Sequence, residues 1–88
     1  MPRFMVTHTF PTNGISRDQF CQVAEASQQA PNIRGLQSFA NLSQGKVFCV
    51  WEAQKPEAVT DWFGKMKIPY ETITKLEVEG RDGAVNDV

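Results

Sequence analysis

One run near the middle of the chain limits the fold more than any other. Lys46-Val47-Phe48-Cys49-Val50-Trp51-Glu52-Ala53 is almost continuously apolar, as a central strand buried on both faces should be. Side chains alternate across a strand. Whichever face takes Phe48 and Val50, the opposite face takes Val47, Cys49 and Trp51. The sheet that contains this strand therefore has two apolar faces to cover.

The flanking segments supply the other elements. Residues 3–10 alternate and are β-branched or aromatic, which predicts a strand with Phe4, Val6, His8 and Phe10 on one face and Met5, Thr7 and Thr9 on the other. Pro11-Thr12-Asn13-Gly14 reads as a turn. Ser16 with Gln19 three residues on predicts a capping box opening a helix. Phe20, Val23, Ala24 and Ser27 follow at helical spacing, so the helix is expected to run to about Ala30, where Pro31-Asn32 ends it. Residues 34–42 predict a second strand, with Leu36, Ser38, Ala40 and Leu42 opposed to Gln37, Phe39 and Asn41, and Ser43-Gln44-Gly45-Lys46 a hairpin turn. Pro56 suits the first turn of a second helix, whose stripe is Val59, Trp62, Phe63 and Met66, and Ile68-Pro69 closes it. Thr72 to Val78 predicts a fourth strand.

The order β-α-β-β-α-β with right-handed crossovers predicts an α+β, ferredoxin-like sandwich. Its four-stranded antiparallel sheet has the order 4-1-3-2 and carries both helices on one face. The chain of 88 residues is one domain, spanning 3–78, followed by a polar, Gly-punctuated C-terminal tail, 79–88, expected to be mobile or to reach a partner. The apolar face left by the helices needs a cover. The simplest is a second copy, so a homodimer is expected.

Composition narrows the function by exclusion. Nine Lys and Arg against ten Asp and Glu leave a net charge of −1, so no nucleic-acid partner is expected. No apolar run approaches the ~20 residues of a membrane span, so no membrane partner is expected either. The two cysteines, Cys21 and Cys49, form no Cys-x-x-Cys and sit in apolar-periodic stretches, where free buried thiols are expected. Free thiols without an export signal point to the cytoplasm. The glycines make no phosphate-binding loop.

Few side chains are equipped for chemistry. His8 is the only histidine, a candidate general base or metal ligand, or else a satisfied strand histidine. Glu52, between Trp51 and Ala53, is either a solvated charge at a strand end or an oriented carboxylate. Neighbouring strands carry these two, so they could share a cleft if their phases agree. Trp51 and Trp62 are expected in the core, and Tyr70 to pack its ring and keep its hydroxyl wet.

Arg3-Phe4-Met5-Val6 with Thr9-Phe10-Pro11, Leu36-x-Ser38-Phe39, the run from Lys46 to Ala53, and Ile68-Pro69 leading to Ile73 resemble a family of small bacterial proteins that includes nickel-binding members. The resemblance implies a ferredoxin-like fold, a homodimer and nickel as a possible cofactor. Family histidines beside the second-strand serine and in the second helix are replaced here by Gln37 and Trp62, which leaves His8 and Glu52 as the candidate metal ligands. Two functions follow as expectations. The favoured one is a small dimeric binding protein for a divalent metal or a small organic ligand. The alternative is a cofactor-free enzyme of the dimeric α+β barrel type, of isomerase or monooxygenase kind. His8 discriminates between them. An enzyme needs it in a dry cleft with an orienting partner, and a metal-binding protein needs it convergent with other ligands.

Overall fold

The computed structural model describes residues 1–11 and 15–88, so the turn expected at Pro11-Thr12-Asn13-Gly14 falls largely outside the described residues. Strands β1 (Arg3–Thr9), β2 (Arg34–Asn41), β3 (Lys46–Glu52) and β4 (Thr72–Leu76) are joined by helices α1 (Arg17–Ser27) and α2 (Pro56–Met66) in the expected order. A hairpin, β5 (Val78–Arg81) and β6 (Ala84–Asp87), follows. The main sheet has the order β2-β3-β1-β4 with every neighbour antiparallel. This is the ferredoxin-like arrangement, with the doubly apolar β3 in the interior of the sheet. The segment 79–88, read as a polar tail, is an ordered hairpin over most of its length and makes a small sheet of its own.

Alternation sorts the sheet into two faces. Phe4, Val6 and His8 of β1 lie opposite Trp51, Cys49 and Val47 of β3, and all six are buried on the helix side. From α2 come Val59, Trp62 and Phe63. The aromatic rings interlock: Trp51 meets Trp62 at 5.0 Å and Phe63 at 5.5 Å between centroids, and Trp62 meets Phe63 at 5.3 Å. These separations fall in the range of favourable tilted and edge-to-face pairs. Met66, expected to extend the stripe, is in the last turn beside the left-handed Lys67 and is exposed.

The two helices are held differently. Pro56 opens α2 with its fixed φ, and Glu57 and Lys65 sit at the ends where their charges suit the helix dipole. The capping box of α1 forms as expected, Ser16 Oγ accepting from the Gln19 N–H at 3.1 Å and Gln19 Oε1 from the Ser16 N–H at 2.9 Å. Yet α1 buries only Ser27 fully, and Phe20, Val23 and Ala24 only in part. Cys21 is exposed, against expectation, because it lies one position off that narrow stripe, whereas Cys49 is buried. The helix stops at Ser27 rather than Ala30. There the Gln28 side chain leaves it to donate to the Gly35 carbonyl at 2.9 Å.

Candidate functional site

His8 is at the centre of the interior, 2% exposed. β1 aims it inward, and Phe63 meets it edge-on at 4.9 Å. Its Nδ1 lies 2.7 Å from the carbonyl oxygen of Pro69, in the connection between α2 and β4. A carbonyl only accepts, so Nδ1 carries the proton and Nε2 presents a lone pair. Burial is the main influence on its titration and pulls the imidazole pKa below 6.5. The Pro69 bond and the Glu71 charge pull the other way, less strongly. The side chain is thus a neutral, oriented imidazole.

A small cavity adjoins it between α1 and the sheet. About 20 Å³ is open to the centre of a water molecule, enough for one or two waters. The lining is mostly apolar, with Phe10, Ile15, Phe20 and Phe63 prominent, and its polar members are His8, Ser27, Ser38 and Cys49. Ser27 is already engaged, donating to the Ala24 carbonyl at 2.6 Å. Ser38 lies opposite Cys49 across β2 and β3 and donates to its sulfur at 3.6 Å. Burial pushes the Cys49 thiol up, and the Ser38 bond opposes this in part, so the sulfur stays protonated and inert. Trp51 also lines the cavity, and its buried Nε1–H has no partner among the described residues.

Glu52 is elsewhere. It pairs with Arg3 on the sheet face away from the helices, where the Arg3 Nε lies 3.7 Å from its carboxylate. His8 is five residues farther along β1, roughly 16 Å at ~3.3 Å per residue, and points to the opposite face. The phases of the two strands disagree, so the condition on which His8 and Glu52 could share a cleft is not met within one chain. Among the described residues no three His, Cys, Asp or Glu side chains converge on a point that could hold a metal ion. His8 has only Nε2 to give, its near neighbour Cys49 is a thiol, and Gln37 faces outward opposite Val50. This donor set does not fit nickel within a single chain.

The outer sheet face is the other unusual surface. Phe39 and Phe48 stand directly opposite each other on β2 and β3, 54% and 42% exposed, with Met5 and Val50 beside them on the same face. Polar groups close both ends. At one end is the Arg3–Glu52 pair. At the other, Thr9 donates to Glu71 and Lys46 to Thr9 at 2.8 Å, with Lys46 and Glu71 3.9 Å apart.

Sequence reasoning found His8 but neither its partner nor its pocket. The Pro69 carbonyl carries no side-chain signal, and Ser38 and Cys49 meet only through strand pairing. Ser27 was visible as the polar member of the stripe on α1.

Fold and site define a small ferredoxin-like sandwich with an internal pocket beneath its first helix. The chain belongs to the family described as nickel responsive protein, SCO4226-like, whose pattern matches residues 4–76. It is similar to the crystal structure of SCO4226 from Streptomyces coelicolor A3(2), with a TM-score of 0.73, 23% identity, and coverage of 89% of this chain and 99% of that one. At that identity the likeness speaks to the fold. No curated protein matches the chain. No helix among the described residues is long and apolar enough to cross a membrane.

Proposed function

We propose that the chain is a small dimeric binding protein whose ligand is a compact, largely apolar organic molecule with one hydrogen-bond donor, held under α1 against Nε2 of His8. The observation that carries this reading is the oriented, neutral imidazole on an otherwise apolar cavity. Its Nδ1 proton is committed to Pro69, and no protein donor among the described residues takes its Nε2 lone pair. Space comes from α1. The capping box keeps its first turn intact and the Gln28 bond to the Gly35 carbonyl pins its C-terminal end to β2, so the helix can hinge about that end. Only partly buried side chains tie its middle to the sheet. The outer sheet faces of two copies meet through Phe39 and Phe48, which removes from water the patch that a single chain leaves exposed. Among the described residues of one chain, the nickel of the family name finds no ligand set to receive it.

A second reading follows from the same imidazole. A neutral histidine with a fixed tautomer in a dry pocket is equipped to take a proton, so a cofactor-free proton transfer on the bound molecule is the enzymatic form of this site.

Phenol and cyclohexanol serve as probes. The expected result is a saturable change in the ¹⁵N shift of His8 Nε2, with Nδ1 still protonated, that is lost in His8→Gln. No shift up to the solubility of either probe, or an equal Trp fluorescence change in His8→Gln, would sink the site. Deuterium exchange into a 1,3-diketone, faster with the wild type than with His8→Gln, would select the enzymatic form. Equal exchange rates would leave a binding protein.

A further inference from the structure

Trp51 carries a buried donor that the fold leaves unanswered. Its side chain is 2% exposed, and its Nε1–H meets no acceptor among the described residues. The rings against it are Trp62 and Phe63, and neither has an oxygen to offer. A buried N–H without a partner is destabilising, so its place on a cavity wall calls for an occupant that accepts. The other donors of the lining are spent or weak. Ser27 donates to Ala24, Ser38 to Cys49, and the Cys49 thiol is a weak donor.

The cavity is elongated, with His8 and Trp51 at its two ends. Its floor follows β3, where Val47, Cys49 and Trp51 line it in turn. Val47 is level with His8 and Trp51 with Phe4, four residues or roughly 13 Å along the strands. Its roof follows α1 from Phe20 to Ser27, a rise of roughly 10 Å. Ser27 packs on Gly35, which pairs with Trp51, so the indole lies under the last turn of the helix. The imidazole lies toward the first turn. Phe10, stacked on His8 at 6.1 Å, shares a groove with Ile15 and Gln19 there. Phe63 touches both rings, at 4.9 and 5.5 Å, which puts them within roughly 10 Å of each other.

We propose that the ligand under α1 is a neutral hydroxy-carbonyl compound, its hydroxyl donating to Nε2 of His8 and its carbonyl oxygen accepting from Nε1–H of Trp51. The inference rests on the pocket reading above and adds a second point of recognition at the far end. One six-membered ring with a polar group at each end matches the separation. A simple phenol or alcohol on His8 leaves the indole unpaired, and a site built to hydrogen-bond discriminates against such a molecule. The acceptor is neutral because no Lys or Arg among the described residues lines the cavity, and one N–H does not offset a buried carboxylate. The pinned end of α1 is the Trp51 end, so the cavity opens beside His8 and the carbonyl enters first.

Three probes of similar size test this on the full chain: 4-hydroxyacetophenone, 4-isopropylphenol, which lacks the acceptor, and 4-hydroxybenzoate, which is an anion. The ketone should bind at least about tenfold tighter than either of the others, and it alone should move the Trp51 Nε1 proton downfield. In Trp51→Phe its advantage over 4-isopropylphenol should vanish while the His8 Nε2 response to both persists. The wild-type comparison decides the matter if that variant does not fold. Equal affinities of the ketone and 4-isopropylphenol with His8 responding to both, an advantage that survives in Trp51→Phe, or tighter binding of 4-hydroxybenzoate would overturn the role of Trp51 and leave the pocket. No response of His8 to any of the three would overturn the pocket as well.

Discussion

His8 stays neutral because ionising it would leave a charge among Phe10, Phe63 and the cavity wall, a cost that the Pro69 carbonyl and the Glu71 charge offset only in part. The consequence is a pH dependence of stability with a definite sign. The folded-state pKa lies below the unfolded one, so the unfolded chain binds the proton first as pH falls. Stability is full above about 6.5, declines as pH drops through the imidazole range, and levels off once the folded-state histidine also titrates. Urea midpoints between pH 8 and 5 should show this slope in the wild type and lose it in His8→Gln. Phe63 touches His8, Trp51, Trp62 and Tyr70 and is 1% exposed, so Phe63→Ala should cost about 3–5 kcal/mol in denaturant unfolding. Calorimetric titration with nickel should give the same isotherm for the wild type and for His8→Ala, because among the described residues of one chain no three ligating side chains converge around the imidazole.

At the scale of elements, the join of α1 to β2 decides the width of the pocket. A β-carbon on Gly35 would come within 2.7 Å of Ser27 Oγ and 3.0 Å of Ser27 Cβ, and the latter cannot swing away. Gly35→Ala should therefore push the end of α1 off the sheet and cost about 1–3 kcal/mol by urea unfolding. Adding Ser27→Gly should recover part of the loss, since the clash is with that side chain. The strand pairing is also irregular here. Gly35 faces Trp51 and Gln37 faces Val50, so Leu36 is an extra residue in the ladder. That bulge was invisible to the alternation read from residues 34–42, which placed Leu36 with Ser38 and Ala40 as if pairing were regular. The alternation from Ser38 onward was legible, because each residue there has one partner on β3.

For the whole molecule, the decisive quantity is the area of sheet left to water. Phe48→Lys would place a charge at the centre of the Phe39–Phe48 patch, with little expected effect on a chain whose own helices lie on the other face. If the outer faces pair, multi-angle light scattering should show the variant as a monomer and the wild type at twice its mass. Cooperative unfolding of the variant should then become independent of protein concentration, whereas that of the wild type should rise with it.

Periodicity in the residues determined the order of elements, the inward row of Phe4, Val6 and His8, the burial of both sides of the Trp51–Phe63 contact, and the two-sided character of β3. These are local consequences of where apolar side chains recur, and a strand or helix projects them to a face whatever its neighbours are. Only the tertiary structure decided what His8 bonds to and where Glu52 lies relative to it. The first depends on a backbone carbonyl 61 positions away in sequence, and the second on the register between β1 and β3. The C-terminal segment also needed the structure. Its glycines and charges resemble those of a tail, and the pairing of Val78–Arg81 with Ala84–Asp87 turns on the left-handed Asp82 and Gly83 at its bend, with φ of 52° and 83°. Hydrogen bonding between distant backbone groups leaves no mark on composition, so it is the part of this molecule that the residues alone did not reveal.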